Sequence, residues 1–271
     1  MEKDKWNAFC KFKSEYKNEC MHYLDILGYK YKEPSLENCA AQSFKKENAS
    51  FFKEGLAVLQ EEAALAGKTP PYPVETPIVY NHAWDSINQD DEIKLIVIGD
   101  NPGKNEQLHK NQKYLVGLAG KIADNFFKKN PSFGIDFRKN VIILNKTPIH
   151  TAKTKQLDYI LKKDADGSFK KFYEESQIFT AQKTAELQKK LGCPIWLVGY
   201  SELKPRGLFY AYANEMKNLY ADKKEPQIYL YQHFSMNRFL IDLKDNYDQS
   251  LSLEENLSLL GIKHRNEILH F

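Results

Sequence analysis

The 271-residue chain carries 39 Lys and Arg against 36 Asp and Glu, a net charge of +3, with 42% hydrophobic and 13% aromatic residues. That composition excludes a disordered polar chain and supplies enough apolar material for one large core with an extension. The small net charge lacks the strongly basic signature of an obligate nucleic-acid binder, yet permits such a partner.

The start, Met1-Glu2-Lys3-Asp4-Lys5, is charged and no apolar leader follows it. No uninterrupted apolar stretch reaches membrane-spanning length, so a cytoplasmic protein without a membrane partner is expected. Cys10, Cys20, Cys39 and Cys193 show no Cys-x-x-Cys spacing and read as small apolar residues, so no metal and no cofactor is expected.

In chain order, Trp6, Phe9, Cys10, Tyr16, Cys20, Tyr23, Leu24 and Leu27 recur at helical spacing, and Gly28 supplies a stop. A second helix is expected with Phe44, Phe52, Leu56, Leu59 and Ala63 on one face and Gly67 closing it. Thr69-Pro70-Pro71-Tyr72-Pro73 and Pro77 then form a stiff connection. Residues 1–70 therefore read as a helical extension packed on a main domain of residues 71–271.

In the main domain, Ile93–Ile98, Val141–Leu144, Ile195–Val198 and Ile228–Tyr231 are β-branched and aromatic runs, bounded by Gly, Pro or Asn. They predict four buried strands. Helical patterns lie between them: Leu115–Phe127, with Leu118, Ile122 and Phe126 on one side, then Phe172–Leu191 ending at Gly192, then Leu203–Tyr220. Strands alternating with helices of this length imply right-handed crossovers. The expected fold is α/β: a three-layer α/β/α sandwich with a central four-stranded parallel sheet and an N-terminal helical extension. Ser252-Leu253-Glu254-Glu255 fits a capping box opening a short helix to Leu260.

Ligands of an open parallel sheet bind beyond the carboxyl ends of its strands, where helix amides also point. The four strands are followed by Gly99-Asp100-Asn101-Pro102-Gly103, Asn145-Lys146-Thr147-Pro148, Gly199-Tyr200-Ser201, and His233-Phe234-Ser235-Met236-Asn237-Arg238. Taken singly, each has an ordinary role. Asn-Pro-Gly is turn chemistry, Asn145 can cap a strand end, His233 can be structural, and Lys146, Lys153 and Lys155 suit a solvated face. Their joint placement on one rim makes a site that reads a planar heterocycle.

The order of strand, G-x-N-P-G, strand ending in Asn, and strand ending in His-x-Ser resembles the uracil-DNA glycosylase superfamily over residues 76–240. Asn101 resembles the water-positioning residue of the single-strand-selective and mismatch-specific branches. Gly103-Lys104-Asn105-Glu106 and Tyr114-Leu115-Val116-Gly117-Leu118-Ala119-Gly120 are similar to the P-G-x-x-E and P-F-V-G-x-A-G pattern of the thermostable branch. The chain lacks the spaced cysteines of that branch, so the resemblance implies no iron–sulfur cluster. Leu115 stands where the pattern has a base-stacking Phe, with Tyr114 as its replacement, and His233-Phe234-Ser235 departs from His-Pro-Ser.

The resemblance implies a monofunctional glycosylase that hydrolyses the N-glycosidic bond of uracil or a related deaminated base in DNA. Asn101 would orient the water, with Asp100 in reserve as base, and His233 would donate to the departing base. Gly99, Pro102, Gly103, Tyr114, Leu115 and Asn145 would form the base pocket. Ser235 would bind a phosphate, and Met236, Asn237 and Arg238 would enter the minor groove. Two alternatives stand beside this: a glycosylase-like protein that binds nucleic acid without excision, and a nucleoside or nucleotide hydrolase on the same sheet. A dinucleotide enzyme is disfavoured by the absence of Gly-x-Gly-x-x-Gly.

Overall fold

A computed structural model describes residues 1–29, 55–223 and 225–270. Along them run α1 (Lys3–Ile26), α2 (Leu56–Ala66), β1 (Leu95–Gly99), α3 (Leu118–Lys129), β2 (Val141–Asn145), α4 (Gln156–Lys163) and α5 (Ser168–Leu191). They are followed by β3 (Ile195–Val198), α6 (Tyr210–Tyr220), β4 (Ile228–Tyr231), α7 (Arg238–Asp245) and α8 (Leu253–Ile268). The strands form one all-parallel sheet in the order β2-β1-β3-β4. With helices covering its faces, this is the α/β/α sandwich that the strand spacing predicts. No helix among the described residues is long and apolar enough to cross a membrane.

Burial on both faces explains the uninterrupted apolar strands: every residue of β1, β2 and β3 is buried. On one face, Trp196 and Tyr231 meet Phe126 and Phe127 of α3 and Phe239 of α7 in a cluster of edge-on and stacked rings. The Tyr231 hydroxyl donates to the Leu257 carbonyl of α8 at 2.9 Å. The second helical layer is α5 with α1 and α6 packed on it. Tyr16 and Tyr23 of α1 contact Phe179 and Phe172 of α5, and one hydrophobic cluster runs from Phe9 through the sheet.

Several elements depart from the sequence expectation. Phe44 and Phe52, expected on the second helix, lie outside the described residues, as does Cys39. Helix α3 starts at Leu118 because Leu115 takes a left-handed φ of 51° and Gly117 caps the helix. Leu118, expected on the packed side, is 69% exposed, and the buried side is Gly120, Ala123, Phe126 and Phe127. The helix expected over Leu203–Tyr220 is interrupted at Pro205-Arg206-Gly207, where Arg206 has φ 68°, and α6 begins at Tyr210. The capping box forms at Ser252 as expected, but α8 continues past Gly261 to Ile268. Gly261 acts by close approach: a Cβ there would lie 2.6 Å from the Cβ of Tyr229, so glycine lets α8 press onto β4.

Candidate functional site

The parallel order brings the carboxyl ends of β2, β1, β3 and β4 side by side on one rim. Gly99 closes β1 directly opposite Asn145 at the end of β2. A Cβ on Gly99 would stand 2.5 Å from Asn145 Oδ1, so only glycine lets the amide lie over this strand end. Asn145 is 1% exposed, and its Nδ2 has no hydrogen-bond partner among the described residues. A buried donor left unmatched costs about 1–3 kcal/mol, so this atom stands out on the rim.

Asn101 follows two residues after Gly99. Its Nδ2 donates to Thr151 Oγ1 at 2.8 Å and to the Ile149 carbonyl at 3.3 Å. A carbonyl only accepts, so these partners fix the amide orientation and leave Oδ1 as the free acceptor. Beside it, the Pro102 carbonyl accepts from His150 Nδ1 at 2.8 Å, and His150 Nε2 meets the Tyr72 hydroxyl at 2.8 Å. Burial pushes the His150 pKa down to about 4, so the ring is a neutral strut for the loop.

Glu106 secures the other side of the loop. Its carboxylate accepts from the Gly103 N–H at 3.0 Å and from the backbone amides of Leu115 and Val116. Burial pushes its pKa up to about 7, against those hydrogen bonds and the nearby Arg138 charge. Arg138 itself donates to the Leu115 carbonyl at 2.8 Å. Gly120 packs so closely on that carbonyl that no side chain would fit. The Gly103–Glu106 and Tyr114–Gly120 motifs are thus two halves of one clamp.

Tyr114 does not replace the stacking aromatic. It is 1% exposed, its ring stands edge-on to Trp84, and its hydroxyl donates to the Val79 carbonyl at 2.6 Å. Asn81 adds to this hold, its Oδ1 accepting the Tyr114 backbone N–H at 3.2 Å. Leu115 is also buried, at 4% exposure.

Lys146, expected on a solvated face, is the largest correction. The side chain is fully buried and its ammonium donates to the Gly99 carbonyl at 3.2 Å, the Val198 carbonyl at 2.6 Å and Asp100 Oδ1 at 2.6 Å. The Phe209 ring lies 5.1 Å from Nζ. Burying a lone ammonium costs several kcal/mol, and three matched acceptors, one of them charged, offset it. Burial lowers the Lys146 pKa and the Asp100 charge opposes that shift. Asp100 also accepts from Thr154 Oγ1 at 3.3 Å and rests on Gly199, where a side chain would collide with it. Lys153 and Lys155 are exposed, as expected.

His233, two residues beyond β4, is half-buried. Its Nδ1 accepts the Ser235 backbone N–H at 3.1 Å and faces Ser235 Oγ at 2.8 Å. A backbone amide only donates, so Nδ1 is the acceptor and Nε2 carries the proton. Burial holds the His233 pKa below the ordinary histidine value, with the Asp100 charge pulling upward and Lys146 downward. Met236 and Asn237 follow at φ 53° and 55°, with Met236 72% exposed, and Arg238 opens α7.

The rim therefore gathers Asp100, Asn101, Asn145 and His233 and carries the Ser235–Arg238 loop, while Tyr114 leaves it for the core. Lys146, His150, Thr151 and Thr154 join it without having been read as site residues. The one available signal for Lys146 was its position two residues after the apolar run Val141–Leu144. Among the described residues no group of three His, Cys, Asp or Glu is placed to hold a metal ion.

These features define a parallel α/β sandwich with an amide- and imidazole-bearing site at the carboxyl ends of its strands. No family model matches the chain, and comparison with curated proteins and with solved structures finds no match.

Proposed function

We propose that this protein is a monofunctional DNA glycosylase that hydrolyses the N-glycosidic bond of uracil or a related deaminated base. The observation that carries the reading is Asn145, buried with an unpartnered Nδ2 on the same rim as the Asn101 acceptor and the His233 donor. An Asn amide pairs a donor and an acceptor on one edge, matching the C=O and N–H that deamination creates and opposing the amino group of cytosine.

The target nucleotide leaves the stack at a cost of a few kcal/mol and enters the rim. As the C1′–N bond breaks, its electron pair moves to the base, and the His233 Nε2–H stabilises the developing anion. Water oriented by Asn101 Oδ1 adds to C1′ and its proton passes to solvent, the base anion takes up a proton from solvent, and free base and an abasic sugar result. Asp100 is engaged by Lys146 and Thr154 and serves the electrostatics of the rim rather than as base. The exposed Met236 suits wedging between base steps, and Arg238 suits a phosphate.

The withdrawal of Tyr114 favours a second reading, nucleic-acid binding without excision. One assay separates the two: oligonucleotides carrying uracil, hypoxanthine or xanthine, single- and double-stranded, are incubated with the protein and abasic sites are read by alkaline cleavage. Release is expected, and His233→Ala is expected to slow it about a hundredfold or more, the loss of one oxyanion-type donor. Salt-dependent binding with no release from any substrate would replace the first reading by the second.

A further inference from the structure

We propose that Gln60 and Tyr72, both outside the strand-end motifs, are positioning residues for Asn101: they hold residues 149–151, which fix the Asn101 amide. The catalytic value of this hold rests on the glycosylase reading, whereas the order of the amide does not. An unbroken chain of hydrogen bonds links these groups. Asn101 Nδ2 donates to the Ile149 carbonyl and to Thr151 Oγ1, on either side of His150. The Thr151 N–H and His150 Nδ1 both donate to the Pro102 carbonyl, at 3.2 and 2.8 Å. Three consecutive residues thus clasp Asn101 and Pro102. They are in turn gripped from α2 and the proline-rich connection. Gln60 Nε2 donates to the His150 carbonyl at 2.7 Å and to the Pro77 carbonyl at 3.1 Å, and the Pro77 carbonyl also accepts the His150 N–H at 3.0 Å.

Local chemistry fixes both grips. Tyr72 stands between Pro71 and Pro73, so its backbone is restricted on either side, and Gln107 Nε2 donates to the Pro73 carbonyl at 3.1 Å. A carbonyl only accepts, so Nδ1 of the neutral His150 ring carries its proton and Nε2 accepts the Tyr72 O–H at 2.8 Å. Gln60 is fully buried, and its Oε1 has no partner among the described residues. Burying an amide with one end unmatched is unfavourable for folding, so the position is explained by what its donors hold rather than by stability.

The test uses the full chain as wild type, Tyr72→Phe, which removes only the hydroxyl, and Gln60→Met, which removes both donors. Two readouts are taken well below the thermal midpoint of each protein: solvent exchange of the Asn101 side-chain amide by NMR, and the kinetics of base release from the substrate released fastest in the abasic-site assay. Each variant is expected to speed exchange of that amide about tenfold and to lower kcat about tenfold with KM unchanged. A brace that serves stability alone would lower the midpoint and leave both readouts in place, and that result overturns the proposal. An amide that loosens while kcat holds overturns it too, because the orientation would then be irrelevant to the reaction. If Gln60→Met fails to fold, Tyr72→Phe alone decides by the same readouts. Faster exchange in a protein that releases no base from any substrate would sustain the hold on Asn101 and overturn the glycosylase reading instead.

Discussion

Around Asn101 and Asn145 the backbone of the rim is braced from several sides and two amide atoms, Asn145 Nδ2 and Asn101 Oδ1, are left without a partner among the described residues, whereas the Ser235–Arg238 loop is held only at its foot. On the first side, the Lys146 amide donates to the Gly99 and Asp100 carbonyls, Thr151 N to Pro102, and His150 and Glu106 brace the loop from two directions. On the second, Phe239 N donates to the His233 carbonyl, Ser235 caps the His233 ring, and two consecutive left-handed residues present Met236 to solvent. A non-glycine residue in that conformation costs about 1–2 kcal/mol, a tension that a loop intended to stay shut would not need. The contrast teaches a division of labour. On the proposed glycosylase reading, recognition of a small edge requires groups that do not adapt, while entry into a duplex requires a tip that projects.

The largest expected effect strikes the braced side. Lys146→Met should lower unfolding free energy by about 3–5 kcal/mol in equilibrium urea denaturation, because it strands the Asp100 carboxylate without its partner. A loss under about 1 kcal/mol would erase the contrast.

Next in size is a pair of opposed pH effects. Glu106 has a folded pKa near 7, raised from 4.5, so its contribution is fully present below pH 4.5 and is lost as pH rises through 7. His150 has a folded pKa near 4, lowered from 6.5, so its contribution is present above pH 6.5 and is lost as pH falls through 4. Each spans roughly 3 kcal/mol. Between pH 4.5 and 6.5 the two slopes nearly cancel in the wild type. Glu106→Gln should leave a stability that climbs with pH, and His150→Gln one that declines with pH, both read from thermal midpoints across that window. Identical slopes in the two variants would show that the braces act otherwise.

The smallest effect belongs to the projecting side. Met236→Ala should change stability by less than about 0.5 kcal/mol while weakening retention of duplex DNA in a fluorescence anisotropy titration. A large stability loss with unchanged DNA retention would reverse the assignment of roles.

The sheet was legible because a strand buried on both faces leaves a continuous apolar run, and four such runs stood between Gly, Pro and Asn. Helices α4 and α7 escaped because eight residues are too few for a periodic pattern to stand out. The rim residues Asn101, Asn145 and His233 could be found since each lies at a strand's carboxyl end or within two residues of it. Lys146 could not be placed, because a lysine looks solvated until Asp100 and the Gly99 and Val198 carbonyls, all remote in sequence, are seen around it. Tyr114 was misjudged for a related reason: motif adjacency says nothing about Val79, Asn81 and Trp84, the groups remote in sequence that hold its hydroxyl, amide and ring in the core.

The three-way grip of Lys146 also governs motion. Parting the upper end of β1 from β2 or β3 would pull an ammonium away from its acceptors, so this corner has no inexpensive partial opening. Its amides, those of Gly99, Lys146 and Gly199 among them, should exchange with deuterated solvent only through global unfolding, while those of Met236 and Asn237 exchange from the native state. The slowest-exchanging patch of the molecule would then lie at the mouth of its site rather than in the middle of the sheet.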